Sequence, residues 1–260
     1  MREFVQFALA DIPIIHEDEN FLVVNKPAGL LVHPPKPGVT GSLIDLYRAK
    51  PGYESTTLVN RLDRETSGLV IIAKSGKIAA ELGKILSDRS VIKEYDTIVT
   101  GKVGLMNGTI DVPIGRLGEF APSPIWLRRA VFPDWVHEMV VPARTKYFIV
   151  NKYESTLFSG KIVYLLRVIP MTGRIHQIRL HLHHIGYSVI GDKLYGQPDS
   201  LYLEYIVTGH TPEMMRSLIL PRHALHAARL KFRFRDHDHD LHAPMPADLE
   251  EFLSTLKPIV

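Results

Sequence analysis

The stretch N-R-L-D-R-E-T-S-G-L-V-I-I-A-K-S, residues 60–75, carries most of what the chain reveals about its fold. Asp63 stands between Arg61 and Arg64, a Thr-Ser-Gly turn follows, and LVIIA (69–73) is apolar enough for a strand covered on both faces. Guanidinium groups within about 4–6 Å lower a carboxyl pKa by roughly 1–3 units. Asp63 is therefore expected to be ionised at the mouth of a buried strand. Such a charge belongs either to a structural ion-pair turn or to an anionic catalyst in a dry pocket, and the turn alone supports both.

Working outward, Ser75 is expected to cap a helix with Ile78, Leu82, Ile85 and Leu86 as its inner stripe. Upstream, FLVV (21–24) and LLVH (30–33) read as strands around the turn NKPAG, and SLIDLYRAK sets Leu43, Leu46 and Tyr47 at helical spacing before Pro51. Downstream, VIKEYDTIVTG alternates like a strand, with Lys93, Tyr95, Thr97 and Val99 on one side. Residues 121–146 are proline-rich and irregular, as a long loop with short strands would be. KIVYLLRVIP is a further strand. MTGRIHQIRLHLHHIG passes from a Thr-Gly turn into a helix that Gly186 ends, burying Ile175, Ile178, Leu182 and Ile185, with Arg179 beside that stripe facing a cleft. Thr211-Pro212 opens a short helix, and ADLEEFLSTL forms a last one with Leu249, Phe252, Leu253 and Leu256 inward. Strands outnumber helices and several follow one another directly, so the expected class is α+β with a large, partly antiparallel sheet.

The 260 residues are 45% apolar and 23% charged, which suits one large globular domain or two small ones. There is no cysteine, so disulfides, thiolate metal sites and cysteine nucleophiles are excluded. That fits a reducing, cytoplasmic setting, and no stretch approaches the roughly 20 apolar residues of a membrane span. The net charge is only +3, but basic residues gather at Arg61, Arg64, Lys74 and Lys77, at Arg128 and Arg129, and along RLKFRFR (229–235). In the last segment Lys231, Arg233 and Arg235 share one strand face opposite Phe232 and Phe234. A polyanionic partner suits this distribution. Neither GxGxxG, GxxxxGK[ST] nor GxSxG occurs, which removes most support for nucleotide hydrolysis, hydride transfer and serine-type acyl transfer. Six of the 13 histidines cluster in HLHHIG and DHDHDLH. His181 and His183 point to different sides of a helix and DHDHDLH reads as a solvated loop, so no metal is expected.

The 60–75 stretch resembles the signature H-R-L-D-x-x-T-S-G-L-x-x-x-A-K of the RluA-type RNA pseudouridine synthases. Four further blocks resemble the same family in the same order: IIHEDENFLVVNKPAGLLVHP (14–34), KEYDTIVTG (93–101) with GTIDVPIGR, TGRIHQIRLHLHHIGYSVIGDKLYG (172–196) and LHAARLKF (225–232). The resemblance implies a catalytic domain with a large mixed, mainly antiparallel sheet, flanking helices and a central active-site cleft. It implies isomerisation of uridine to pseudouridine in tRNA or rRNA stem-loops, without cofactor or metal. Carried over by position, Asp63 is the essential aspartate, Tyr95 the ring packed on the target base, Arg179 the arginine paired with the aspartate, and Arg61 the residue filling the gap left by the flipped base. Arg64, Lys93, Arg174, His176 and Gln177 are implied RNA contacts.

Asn60 stands where the family usually has histidine. Only about a dozen residues precede the opening strand, so a single catalytic domain over 1–260, with its motif-bearing core at about 14–235 and no separate N-terminal RNA-binding domain, is expected, acting as a monomer. Two rivals remain open. One is a nucleoside or glycoside hydrolase, for which Asp192 is the candidate general acid. The other is an RNA-binding module without activity.

Overall fold

In the computed structural model, residues 6–36, 39–88, 91–102, 104, 106–134, 137–158 and 162–259 are described. In chain order the strands are β1 (Ile14–Glu17), β2 (Phe21–Lys26), β3 (Thr57–Leu58), β4 (Ser67–Ala73), β5 (Ile92–Gly101), β6 (Gly108–Asp111), β7 (Ile114–Arg116), β8 (Arg129–Val131), β9 (Arg144–Glu154), β10 (Ile162–Pro170), β11 (Ser188–Val189), β12 (Leu225–Phe234), β13 (His237–His242) and β14 (Lys257–Pro258). The helices are α1 (Leu43–Arg48), α2 (Gly76–Ser87), α3 (Gln177–His184), α4 (Asp199–Thr208), α5 (Pro212–Leu218) and α6 (Ala247–Ser254). The class is α+β and mainly antiparallel, as expected. Two compact units carry these elements: residues 6–95 with 226–246, and residues 96–225 with 247–259.

In the first unit the strand order is β1-β2-β4-β12, with β3 paired to β4 and β13 to β12. β2 runs antiparallel to β4 from Phe21↔Ala73 to Lys26↔Gly68, whereas β4 and β12 are parallel at Ser67↔His226 and Gly68↔Ala227. Strand alternation divides the core into two faces. Leu22, Val24, Val70 and Ile72 pack with Leu43, Ile44 and Tyr47 around α1. Phe21, Val23, Leu69 and Ile71 pack with Ile78, Leu82, Phe232 and Phe234 around α2. That two-sided cover is why LVIIA is uniformly apolar. Ser42 and Ser75 cap α1 and α2.

Gly68 explains the Thr-Ser-Gly turn. Its φ is +113°, and a Cβ there would lie 2.6 Å from the Ala227 nitrogen. Only glycine lets the parallel strands approach.

Two expectations for this unit need correction. LLVH (30–33) forms no strand. Leu30 and Val32 are buried, and the carbonyls of Leu31 and Val32 accept from the amides of Leu43 and Ile44 at the start of α1, so helix termini take the bonds a strand partner would have taken. DHDHDLH is not a solvated loop but includes strand β13, paired to β12 over Arg229↔His242 to Phe234↔His237. Acids face bases across this ladder: Asp240 pairs with Arg229 at 2.7 Å and Asp238 with Arg233 at 3.6 Å. Much of the basic face expected on 229–235 is thereby neutralised.

In the second unit β9 pairs with β10, β6 and β14, β11 pairs with the end of β5, and β7–β8 form a separate ribbon. The described residues between 121 and 143 are irregular around short β8, as expected, whereas Arg144–Lys146, read with that loop, already belong to β9. Helix α3 ends at Gly186 with φ +89°, burying Ile178 and Leu182. Ile175, expected in that stripe, is 43% exposed, because the helix starts only at Gln177 and Ile175 belongs to the preceding turn.

Candidate active site

Residues 60–66 link β3 to β4 and are stitched to the first unit from several sides. The Asn60 carboxamide reproduces a peptide group, accepting from Ile71 N at 2.8 Å and donating to Leu69 O at 3.3 Å. This gives the asparagine a backbone-pairing role at the head of the loop. Asn60→Ala leaves these β4 groups unpaired and is expected to cost about 1–3 kcal/mol, checked by chemical denaturation. Leu62 turns into the core while Arg61 on one side stays exposed. Asp63 O accepts from Thr66 N at 3.1 Å, which closes the turn, and Asp63 itself is half-buried.

Lys26, unremarked in the sequence, holds this loop to the NKPAG turn. It is 0% exposed, and its ammonium donates to Pro27 O (2.8 Å), Leu30 O (2.9 Å) and Arg64 O (3.1 Å). Gly29 N donates to Arg64 O at 2.8 Å and Arg64 Nε to Gly29 O at 2.9 Å. Arg64 thus serves the loop's own geometry. A buried ammonium with three carbonyl acceptors is a satisfied charge, and the signal for it was a lysine ending an otherwise apolar strand.

Tyr95, near the start of β5, packs against the α1-side core. Burial, and then the negative charge of Asp63, push its hydroxyl up to about 12. The ring is therefore a neutral phenol at any physiological pH, and its electrostatics couple it to Asp63. Lys93, two residues earlier, donates to Leu86 O at 2.9 Å near the C-terminus of α2, and burial lowers its pKa.

In the second unit Arg179 is 6% exposed and forks onto Asp192, Nε to Oδ2 at 2.6 Å and Nη2 to Oδ1 at 2.7 Å. Asp192 also accepts from the amides of Leu194 (2.8 Å) and Tyr195 (3.1 Å). Burial disfavours the ionised carboxylate, but the charge and hydrogen bonds of Arg179 and the two amides outweigh it and hold Asp192 below its ordinary value. A general acid needs the opposite shift. Asp192 is therefore poorly suited to the role that a hydrolase would require of it. Gly191 makes this corner possible, since a Cβ there would lie 2.7 Å from the Arg222 carbonyl carbon at φ +77°. The neighbouring His223 is buried; burial and the charges of Arg179, Lys193, Arg222 and His176 hold it well below the usual histidine range, as a neutral imidazole.

The turn before α3 is cross-braced. Gln177 is buried, accepts from Thr172 Oγ1 (2.7 Å) and Arg174 N (3.0 Å), and donates to Arg144 O and Thr145 Oγ1 (both 2.9 Å). Thr145 in turn donates to His181 Nδ1 at 2.9 Å, and His181 Nε2–H donates to Val112 O at 3.0 Å. His181, a metal-ligand candidate by residue type, is instead a neutral link in this chain. His176 sits at φ +58° with Nδ1 3.0 Å from the Tyr195 hydroxyl, and exposed Arg174 donates to Pro142 O at 3.2 Å. Among the described residues no three His, Asp or Glu side chains converge as a metal site requires, and no helix is long and apolar enough to cross a membrane.

The sequence pattern of the RNA pseudouridylate synthase family matches residues 20–184, a span holding Asp63, Tyr95 and Arg179. The chain belongs to that family. Ribosomal large subunit pseudouridine synthase D of Haemophilus ducreyi is 32% identical over 268 residues, spanning 99% of this chain and 75% of the relative. Its namesake from Yersinia pestis is 32% identical over 269 residues, spanning 99% and 75%. These relatives place the chain among the RluA-type pseudouridine synthases that the five sequence blocks resemble, and hence among isomerases acting on RNA. Two solved structures share the pseudouridine synthase fold. Human RNA pseudouridylate synthase domain containing 4 superposes with a TM-score of 0.70 at 23% identity, covering 95% of this chain and 94% of that one. Human RNA pseudouridylate synthase domain containing 1 gives 0.70 at 22% identity, covering 98% and 91%.

Proposed function

We propose that this pseudouridine synthase isomerises uridine in a ribosomal or transfer RNA stem-loop, with Asp63 as catalyst, as one catalytic domain acting as a monomer in the cytoplasm. The observation that supports the mechanism is the Asp63 loop itself, braced by Lys26 and Asn60, with Tyr95 of β5 near enough for the Asp63 charge to help raise its hydroxyl. The ribosomal names of the relatives favour rRNA.

The reaction breaks the bond between ribose and the ring nitrogen, turns the uracil and rejoins it through a ring carbon. It is redox-neutral and needs no water. The Asp63 carboxylate acts at the sugar, either adding to the anomeric carbon or removing a ribose proton to leave a glycal. Arg179, which the family resemblance pairs with the aspartate, is the cation proposed to keep that carboxylate ionised. Tyr95 gives the detached uracil a flat apolar face on which to turn. Arg61, exposed and without an ion pair among the described residues, takes the place vacated by the flipped base and offsets part of the unstacking cost of a few kcal/mol. Arg64, Lys93, Arg174, His176 and Gln177 border the RNA path. The hydrogen bonds of Arg64, Lys93 and Gln177 give them a positioning share in that role.

The ring of Tyr95 matters more than its hydroxyl in this scheme. Tyr95→Phe is expected to keep kcat within about tenfold, and Tyr95→Ala to lose roughly 100-fold. Initial rates of pseudouridine formation separate the two. The same assay decides between isomerase and hydrolase, since a hydrolase releases free uracil and leaves abasic RNA.

A further inference from the structure

Beside the Asp63 loop, within the first unit, lies a cavity of about 310 Å³ of which the reaction as proposed engages only Arg61, at its edge. His33, Arg48 and Arg61 contribute its basic groups, and all three are exposed. Ile44 and Leu58 supply apolar wall and Thr57 a hydroxyl; no carboxylate lines it. Arg48 is anchored by Nε donating to Thr56 O at 2.9 Å, so its guanidinium is held at the rim. Neither Arg48 nor Arg61 has an ion pair among the described residues, unlike Arg229, Arg233 and Arg235, which are matched by acids. Unmatched guanidinium groups over an apolar floor are complementary to a group with an anionic end and a flat, weakly polar body. The volume lies at the lower end of small-ligand pockets, the size of one nucleotide rather than a helix. Asn60, which pins the Asp63 loop to β4, also lines the cavity, so an occupant bears on the catalytic loop.

We infer that this cavity is a second nucleotide site: it takes a nucleotide flanking the target uridine in the same RNA, with phosphate on Arg48 and base and ribose against Ile44 and Leu58. The inference rests on the isomerase reading above. Because the occupant is read through an anion and a fitted body, the site adds sequence context around the modified uridine as well as affinity.

The test uses the full chain and total RNA from cells lacking its gene, with rates of pseudouridine formation followed against RNA and salt concentration. Arg48→Gln is expected to raise KM about tenfold with kcat within twofold, and to flatten the dependence of log(kcat/KM) on log salt by about 0.7, as loss of one single-strand phosphate contact should. Arg48→Lys should restore the salt slope, which a purely structural arginine would not require. Thr57→Trp fills the cavity without removing charge; it should raise KM and leave the salt slope unchanged. Thermal denaturation of each variant separates misfolding from lost contact, and His33→Gln provides an independent lining variant if Arg48→Gln does not fold. Wild-type KM and salt slope in folded Arg48→Gln and Thr57→Trp would overturn the second site while leaving the isomerase intact. Failure of the wild type to form any pseudouridine would instead overturn the isomerase reading, and the second site with it.

Discussion

Asp63→Ala is expected to lower pseudouridine formation by at least about 10⁴-fold, the scale of losing a catalytic nucleophile, while RNA affinity stays within about threefold. The loop surrounding Asp63 explains why the two effects separate. Its shape depends on Asn60, Leu62, Lys26 and Arg64, through bonds to Ile71, Leu69, Pro27, Leu30 and Gly29, and the turn-closing carbonyl of Asp63 is a main-chain atom that alanine keeps. The substitution therefore removes a charge and keeps these loop bonds. Asp192 cannot substitute, because its carboxylate is already held by Arg179 and two amides. Single-turnover rates and filter binding on the same RNA measure the two quantities.

The second large effect lies at Asp192. Asp192→Ala leaves the buried Arg179 guanidinium without the fork it forms at 2.6 and 2.7 Å, and removing one partner of a buried pair costs about 3–5 kcal/mol. Both denaturation midpoint and activity should fall, since Arg179 loses its orientation. Asp192→Asn keeps the shape and loses the charge, which gives a pH signature. The folded pKa of Asp192 is depressed, so its ionised form stabilises the fold above the ordinary carboxylate value of 3.8 and that contribution fades as pH falls through the lower folded value. The stability gap between wild type and Asp192→Asn should therefore be widest near neutral pH and narrow only in acid. A gap that is independent of pH across the acid range would remove the ion-pair explanation.

Much of the first unit was legible because its signals are local. Ser75, the Ile78–Leu82–Leu86 stripe and the uniformly apolar 69–73 run each report on neighbours within a turn or a strand. The misread segments depend on partners distant in sequence. LLVH has strand composition, yet helix α1 takes its carbonyls; DHDHDLH has loop composition, yet the arginines of β12 make it a strand. Ile175 fits a helical period that begins two residues too early to include it. The roles proposed for Asp63, Tyr95 and Arg179 come from the family resemblance, carried over by position. Lys26 and the bracing role of Asn60 were not visible, because a buried lysine shows its three carbonyls only after folding and an amide mimicking a peptide has no sequence pattern. Asp192 was visible only as a candidate acid, and the Arg179 pair together with two amide bonds reverses that role.

The claim that the Asp63 carboxylate isomerises uridine is tested most directly by pseudouridine mapping of RNA from cells lacking the gene, complemented with either wild-type chain or Asp63→Ala. The expected result is one or a few positions that lose pseudouridine on deletion, regain it with the wild type and stay as uridine with Asp63→Ala at equal protein level. Restoration of those positions by Asp63→Ala, or a map unchanged by deletion, would contradict it.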